Sequence, residues 1–241
     1  MAAALVFVGT LYFNQIIGIA YCLRSADKRQ ERIHEKQIEI ITKSRDSMLA
    51  GMASVVENRD NNTGGHIKRT SEVVRILTDA LPLDDSFRED IIKAAPLHDL
   101  GKIAIPDSIL NKPGRLTDTE FAFIRIHPQK GYEIVRTILS GLDDERLLKV
   151  AENIALYHHE KYDGRGYPQG LKGEEIPLEA RIMAIADVYD ALVSERCYKK
   201  PMSHEEACVI IRDSMGTHFD PQLEDCFVRS ADTIAAYYAQ E

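Results

Sequence analysis

Residues 2–23 carry no charge and are dominated by Leu5, Val6, Phe7, Val8, Leu11, Ile16, Ile17 and Ile19. A bilayer core asks for about 20 such residues in a helix, although the amides of Asn14 and Gln15 are costly there. A secretory signal would open on basic residues, which Met1 to Ala4 lack, and would carry a shorter apolar run. The pattern therefore predicts a membrane helix over 1–23, with a buried helix of the fold as the alternative. Arg24, Lys28, Arg29 and Arg32 follow at once. Positive charge on that flank predicts a single pass through the inner membrane, with the rest of the chain in the cytoplasm. Residues 24–46 are charged and helix-favouring, with Ile33, Ile38, Ile40 and Ile41 as sparse apolar points. This predicts a helical linker, too short to define a coiled coil but open to homodimer contacts.

From residue 47 to the end the apolar spacing is helical and strand-like alternation is absent. Helix starts are signalled by Ser86 with Glu89, Thr117 with Glu120, and Ser203 with Glu206, each at capping-box spacing. Pro177 and Pro221 suit first helical turns, the latter after Asp220. Residues 61–65, 106–114 and 163–177 are rich in Gly, Pro, Asn or Asp and read as loops. The expected organisation is an all-α domain over 47–241 behind the linker.

Composition narrows the chemistry. The 241 residues carry a net charge of −8, with 44% apolar and 28% charged residues. That fits a folded core and disfavours a general nucleic-acid binder, which would carry a positive field. A small anionic substrate stays open, because bound metal makes one pocket positive within an acidic protein. Cys22, Cys197, Cys208 and Cys226 form no CxxC pair and read as reduced thiols.

The chemistry gathers around the histidines. His98 and Asp99 are adjacent after an apolar run, His66 follows two glycines, His127 precedes Pro128, and His158 and His159 are adjacent. Asp187 sits among small and apolar residues, where an unpaired carboxylate is expensive unless it meets a metal. A lone His-Asp pair is weak evidence, but five His and two Asp supply enough N and O ligands for two ions. Without a thiolate among them, the set favours a hard or borderline metal. His34 and His204 read as exposed, and His218 as part of a helix-start turn.

These strings resemble the HD-GYP family. The stretch from His98 and Asp99 through Lys102 to Pro106 and Asp107 is similar to its HD motif. The stretch His158, His159, Glu160, Asp163, Gly164, Gly166, Tyr167 and Pro168 is similar to the segment that names it. Asp187 and Asp190, then Arg196, Tyr198 and Lys199, then Gly216 to Pro221, continue the match over residues 50–230.

The resemblance implies a bundle of about seven helices and metal-dependent hydrolysis of cyclic di-GMP to pGpG or GMP. His66, His98, Asp99 and Asp187 would hold one ion. Asp99, His127, His158 and His159 would hold the second, with Asp99 bridging. Relatives with a third metal carry Glu where this chain has Asn62, so two ions are expected. Glu57 is a remote substitute. Iron, manganese and zinc all suit these ligands, and the hydroxide shared by the two ions is the expected nucleophile. Lys102 would touch a phosphate oxygen, and Arg196 and Lys199 would form a second phosphate clamp. Glu160, Asp163 and Asp190 are candidates to orient the imidazoles. The Gly166, Tyr167 and Pro168 loop makes a turn, and in the family it is associated with partners such as diguanylate cyclase domains. A catalytically silent receptor, a phosphohydrolase of another cyclic nucleotide, and a metal-free structural bundle are the alternatives.

Overall fold

The computed structural model describes residues 2–60, 65–141, 144–195 and 200–240, leaving aside the side chains of residues 2–11, 13 and 14. The chain divides into two units, Met1–Met48 and Leu49–Glu241. The first helix, α1 (Ala2–Glu57), runs without a break through the boundary expected near residue 23. Among the described residues no helix is long and apolar enough to cross a membrane. The expected membrane helix over 1–23 is therefore not found, and the single-pass inner-membrane placing that rested on it falls with it. Thr10, Asn14 and Gln15 interrupt the apolar run and Arg24 follows it, and amides are costly in a bilayer core.

In the second unit α1 contributes its last turns, whose Leu49, Ala53 and Val56 are buried at helical spacing. Then come α2 (His66–Asp79), α3 (Asp85–Ala94), α4 (Asp107–Leu110), α5 (Asp118–Ile124), α6 (His127–Leu139) and α7 (Glu145–Tyr157). The chain ends with α8 (Leu178–Val193), α9 (His204–Asp213) and α10 (Glu224–Tyr238). Seven of these have ten or more residues, in line with the expected bundle. No strand occurs among the described residues; Met215 and Phe219 form one isolated bridge.

Helix α8 is the centre of the unit. Ala180, Ile182, Met183, Ala184, Ile185, Ala186 and Tyr189 are buried around most of its circumference, which is what a helix packed on several sides requires. It packs against α2, α7 and α9. Two 3-10 turns, Ala95–Leu97 and Leu100–Ala104, carry the chain from α3 past α6. Gly101 makes that passage possible: a Cβ there would lie 1.9 Å from the His127 carbonyl oxygen and 2.4 Å from the Gly131 nitrogen.

Thr117 with Glu120 and Ser203 with Glu206 form complete capping boxes. Ser86 with Glu89 does not. Asp84 caps α3 instead, accepting from the Ser86 and Phe87 amides, because its carboxylate is the stronger acceptor and holds the Ser86 hydroxyl as well. Pro177 is the residue before α8 rather than within its first turn, while Pro221 opens the 3-10 turn Pro221–Leu223 behind an Asp220 cap. The loop expected over 106–114 contains the short α4.

Candidate metal centre

The proposed ligands come from helix ends and turns that meet at the middle of the bundle. His66 is the first residue of α2 and His127 the first of α6, while His158 closes α7 with His159 next to it. His98 and Asp99 lie between the two 3-10 turns, and Asp187 projects from α8. Ligand atoms of Asp99, His127, His158 and His159 all lie within 4.8 Å of one another, as do those of His66, His98 and Asp187.

Hydrogen bonds fix the direction of four imidazoles. The Nδ1–H groups of His98, His127 and His158 donate to the carbonyls of Ala95, Ile124 and Ile154, at 2.9, 2.7 and 2.9 Å. His66 Nδ1–H donates to Asp190 Oδ2 at 2.7 Å. A carbonyl only accepts, so the proton sits on Nδ1 and a neutral ring turns a lone pair out from Nε2. Those lone pairs face each other: His66 Nε2 is 3.2 Å from His98 Nε2, and His127 Nε2 is 3.3 Å from His158 Nε2. Facing nitrogens at this range are relieved either by a proton on one of them or by a cation that both can ligate. The donor set therefore fits metal, and specifically nitrogen and carboxylate coordination.

Asp99 lies between the two groups with one oxygen toward each. Oδ1 is 3.3 Å from His127 Nε2 and 3.8 Å from His158 Nε2. Oδ2 is 3.3 Å from His98 Nε2 and 3.9 Å from His66 Nε2. Asp187 Oδ1 approaches His66 Nε2 at 3.6 Å.

Electrostatics agrees with a cation-hungry site. Burial would raise the Asp99 carboxyl, but Lys102 and the neighbouring imidazoles outweigh it and hold the group well below the usual carboxylate range. Burial and then the neighbouring rings push His158 down to about 3 and His159 well below its ordinary value. Burial lowers His127 as well. His98 goes the other way, because Asp99 overcomes its burial. Three of the imidazoles thus favour their neutral, ligating form.

Lys102 is held in the site. Its Nζ lies 2.8 Å from Asp99 Oδ2 and 3.0 Å from Asp60 Oδ2. Asp60 escaped sequence reasoning, since one acidic residue in a polar turn gives no signal. Glu57 accepts from the Ile67 amide at 3.0 Å, which gives it a helix-start role instead of a ligand role. Arg196, Lys199 and Asn62 lie outside the described residues.

Of the three candidates for orienting imidazoles, Asp190 meets one. It is three residues after Asp187, and that spacing puts both on one face of α8. Glu160 instead accepts from the amides of Gln169, Gly170 and Leu171, clamping the loop back onto the end of α7. Asp163 accepts from the Arg165 amide within the same loop. Gly166 presses so closely that a Cβ would sit 2.3 Å from the Lys161 nitrogen and 2.4 Å from Glu160 Cα. Next to it the Tyr167 ring stacks on His159 with centroids 4.8 Å apart, and the Arg125 guanidinium lies 4.6 Å from the Tyr167 centroid. Tyr167 thus faces the metal centre, while Arg165, Pro168 and Gln169 are exposed. His34 is exposed as expected. His204 is not: it is half-buried, with the Tyr189 hydroxyl 2.7 Å from its Nδ1. His218 is half-buried in the turn after α9.

A family model described as "HD domain" matches residues 50–223. The chain belongs to the HD domain family, and its motifs make it a member of the HD-GYP type. It is 48% identical over 198 residues to a Vibrio cholerae serotype O1 protein named "Probable cyclic di-GMP phosphodiesterase", covering 78% of this chain and 45% of that one. A second Vibrio cholerae protein, named "Cyclic di-GMP phosphodiesterase", is 41% identical over 237 residues, 95% of this chain and 48% of its own. The chain thus spans about half the length of these curated relatives. Among solved structures, Bd1817, an HDG"Y"P protein from Bdellovibrio bacteriovorus, aligns with a TM-score of 0.53 at 20% identity over 72% of this chain and 51% of that one, a likeness of fold.

Proposed function

We propose that this chain is a metal-dependent phosphodiesterase that hydrolyses cyclic di-GMP to pGpG or GMP. In this reading it uses two divalent ions: His66, His98, Asp99 and Asp187 hold one, and Asp99, His127, His158 and His159 the other. The observation that carries the reading is Asp99, with one oxygen toward each group of imidazoles. The names of the relatives supply the substrate class. Bound ions of this kind lower the pKa of water and neutralise charge building on a phosphoryl oxygen. Iron, manganese and zinc all suit the ligands.

The chain's own groups do the rest. The fixed Nδ1 bonds keep the imidazoles aimed without a cost of reorganisation. Lys102 starts within reach of Asp99 and supplies a point charge for a non-bridging phosphate oxygen. Arg196 and Lys199 form a second clamp on the phosphates. The Gly166, Tyr167 and Pro168 turn braces His159, and its exposed Arg165 and Pro168 are the face open to a protein partner such as a diguanylate cyclase domain.

The test is product analysis on the purified full chain loaded anaerobically with iron or manganese, using cyclic di-GMP and cyclic GMP-AMP in parallel. Linear pGpG or GMP from cyclic di-GMP is the expected result. Tight nucleotide binding without product would make the chain a receptor, and turnover of cyclic GMP-AMP alone would replace the substrate.

A further inference from the structure

Asp190 is 1% exposed and accepts from four side chains. Oδ2 takes His66 Nδ1–H at 2.7 Å and Arg69 Nη2 at 3.2 Å. Oδ1 takes Arg69 Nε at 2.6 Å, the Ser194 hydroxyl at 2.9 Å and the Tyr238 hydroxyl at 2.7 Å. A carboxylate offers about four lone-pair sites, so these donors leave it nothing to offer a metal. Its effect on the centre passes through His66 alone. Burial works against the charge, but the His66 and Arg69 hydrogen bonds outweigh it and hold the carboxyl below its ordinary range.

Three of these partners come from α2 and the end of α8, inside the segment matched by the family. Tyr238 does not. It is the last residue of α10 and lies beyond residue 223, where the family match stops. Its ring sits edge-on to Tyr189, with centroids 5.3 Å apart, and its hydroxyl donates to Asp190 Oδ1.

We infer that Tyr238 is a positioning residue of the metal centre: its hydroxyl pins Asp190 Oδ1 so that Oδ2 stays aimed at His66 Nδ1. The last turn of α10 thereby sets how firmly His66 presents Nε2. Anything that lifts that turn loosens one metal ligand without touching the ligands themselves. The metal arm of this inference rests on the two-ion reading; the histidine arm below does not.

The experiment compares wild type, Tyr238→Phe, Asp190→Asn and the double variant as full chains. Tyr238→Phe keeps the ring and its packing and removes only the hydroxyl. In metal-free, 15N-histidine-labelled protein, NMR reads the exchange of the His66 Nδ1 proton with water. Removing the hydroxyl should speed that exchange about threefold to tenfold, below the change from Asp190→Asn. Mn2+ affinity should fall by about the same factor, less than the roughly 10–100-fold typical when the residue bonded directly to a ligand is lost. In the Asp190→Asn background the Phe substitution should change nothing more, because its route is gone. Tyr189→Phe, whose hydroxyl meets His204 instead, should change neither readout. Unaltered His66 exchange in Tyr238→Phe, or an equal effect with and without Asp190, would overturn the inference. Should wild type bind none of Mn2+, Fe2+ and Zn2+, the two-ion reading fails while the exchange measurement still decides the role of Tyr238.

Discussion

At Asp99 one atom separates the two-ion reading from its rivals. An Asn there keeps the shape but offers one good oxygen and no charge. The His127 and His158 side would lose its oxygen partner, and two nearby dications would lose the anion that screens their repulsion. Asp99→Asn should therefore lose at least one metal per chain and its turnover while circular dichroism stays helical. Retention of two metals and near-normal turnover would mean that the ligand groups are wrongly drawn. Lys102→Ala should behave differently. Its ammonium bonds carboxylates and no imidazole, so metal content should stay near wild type. Loss of a charge-assisted hydrogen bond to phosphate, about 1.5–3 kcal/mol, should slow turnover roughly tenfold to a hundredfold. A variant that instead sheds its metals would put Lys102 in the metal centre rather than on the substrate. The proposed ligands were legible in the sequence because adjacent His and Asp carry their chemistry in the side chain itself. Asp60, Arg69, Arg125 and Tyr238 were not. Each is a common residue with a ready solvated or packed reading, and its partner lies far away along the chain.

Helix starts were legible where the capping residue stood alone. Thr117 and Ser203 have no competitor and close their boxes, whereas Ser86 lost to Asp84 two residues earlier. The loop over 163–177 was legible as irregular chain but not as a rigid one. Its order comes from Glu160, which gathers three amides, and from Gly166, which lets the turn lie against the backbone of residues 160 and 161. Gly166→Ala tests that account. The added methyl meets backbone, which cannot swing aside, so overpacking should cost about 1–3 kcal/mol. For a unit of this size that is a fall of roughly 2–12 °C in melting temperature. Because Tyr167 is the next residue, the stacking on His159 should loosen too, with weaker metal binding. An unchanged melting curve would show that the loop is not the clamp it resembles.

For the whole molecule, the sequence was least informative about the first 48 residues. A run of uncharged residues suggests a membrane even with Asn14 and Gln15 in it, whereas no span is found among the described residues. The second unit was legible because its stability and its site draw on the same residues, buried helix faces that end in histidines. The second unit also has a measurable pH signature at a histidine that is not itself a proposed ligand, with Asp187 near enough to oppose its shift. Burial, helped by Lys161, pushes His218 down to about 4, while in the unfolded chain it titrates near 6.5. Its folded value is the lower one, so the unfolded chain takes up the proton first as pH falls. The contribution of His218 to stability is complete above about pH 6.5 and is lost as pH drops toward 4, where both states become protonated. The upper bound, about 1.4 kcal/mol per unit over the shift, is roughly 3 kcal/mol. Urea unfolding of metal-free protein should therefore lose stability between pH 6.5 and 4. In His218→Gln, which has no charge to gain, that loss should shrink by about 2–3 kcal/mol, with little change in the pH dependence above 7. Equal slopes for the two proteins across this window would mean that His218 is solvated in the folded state.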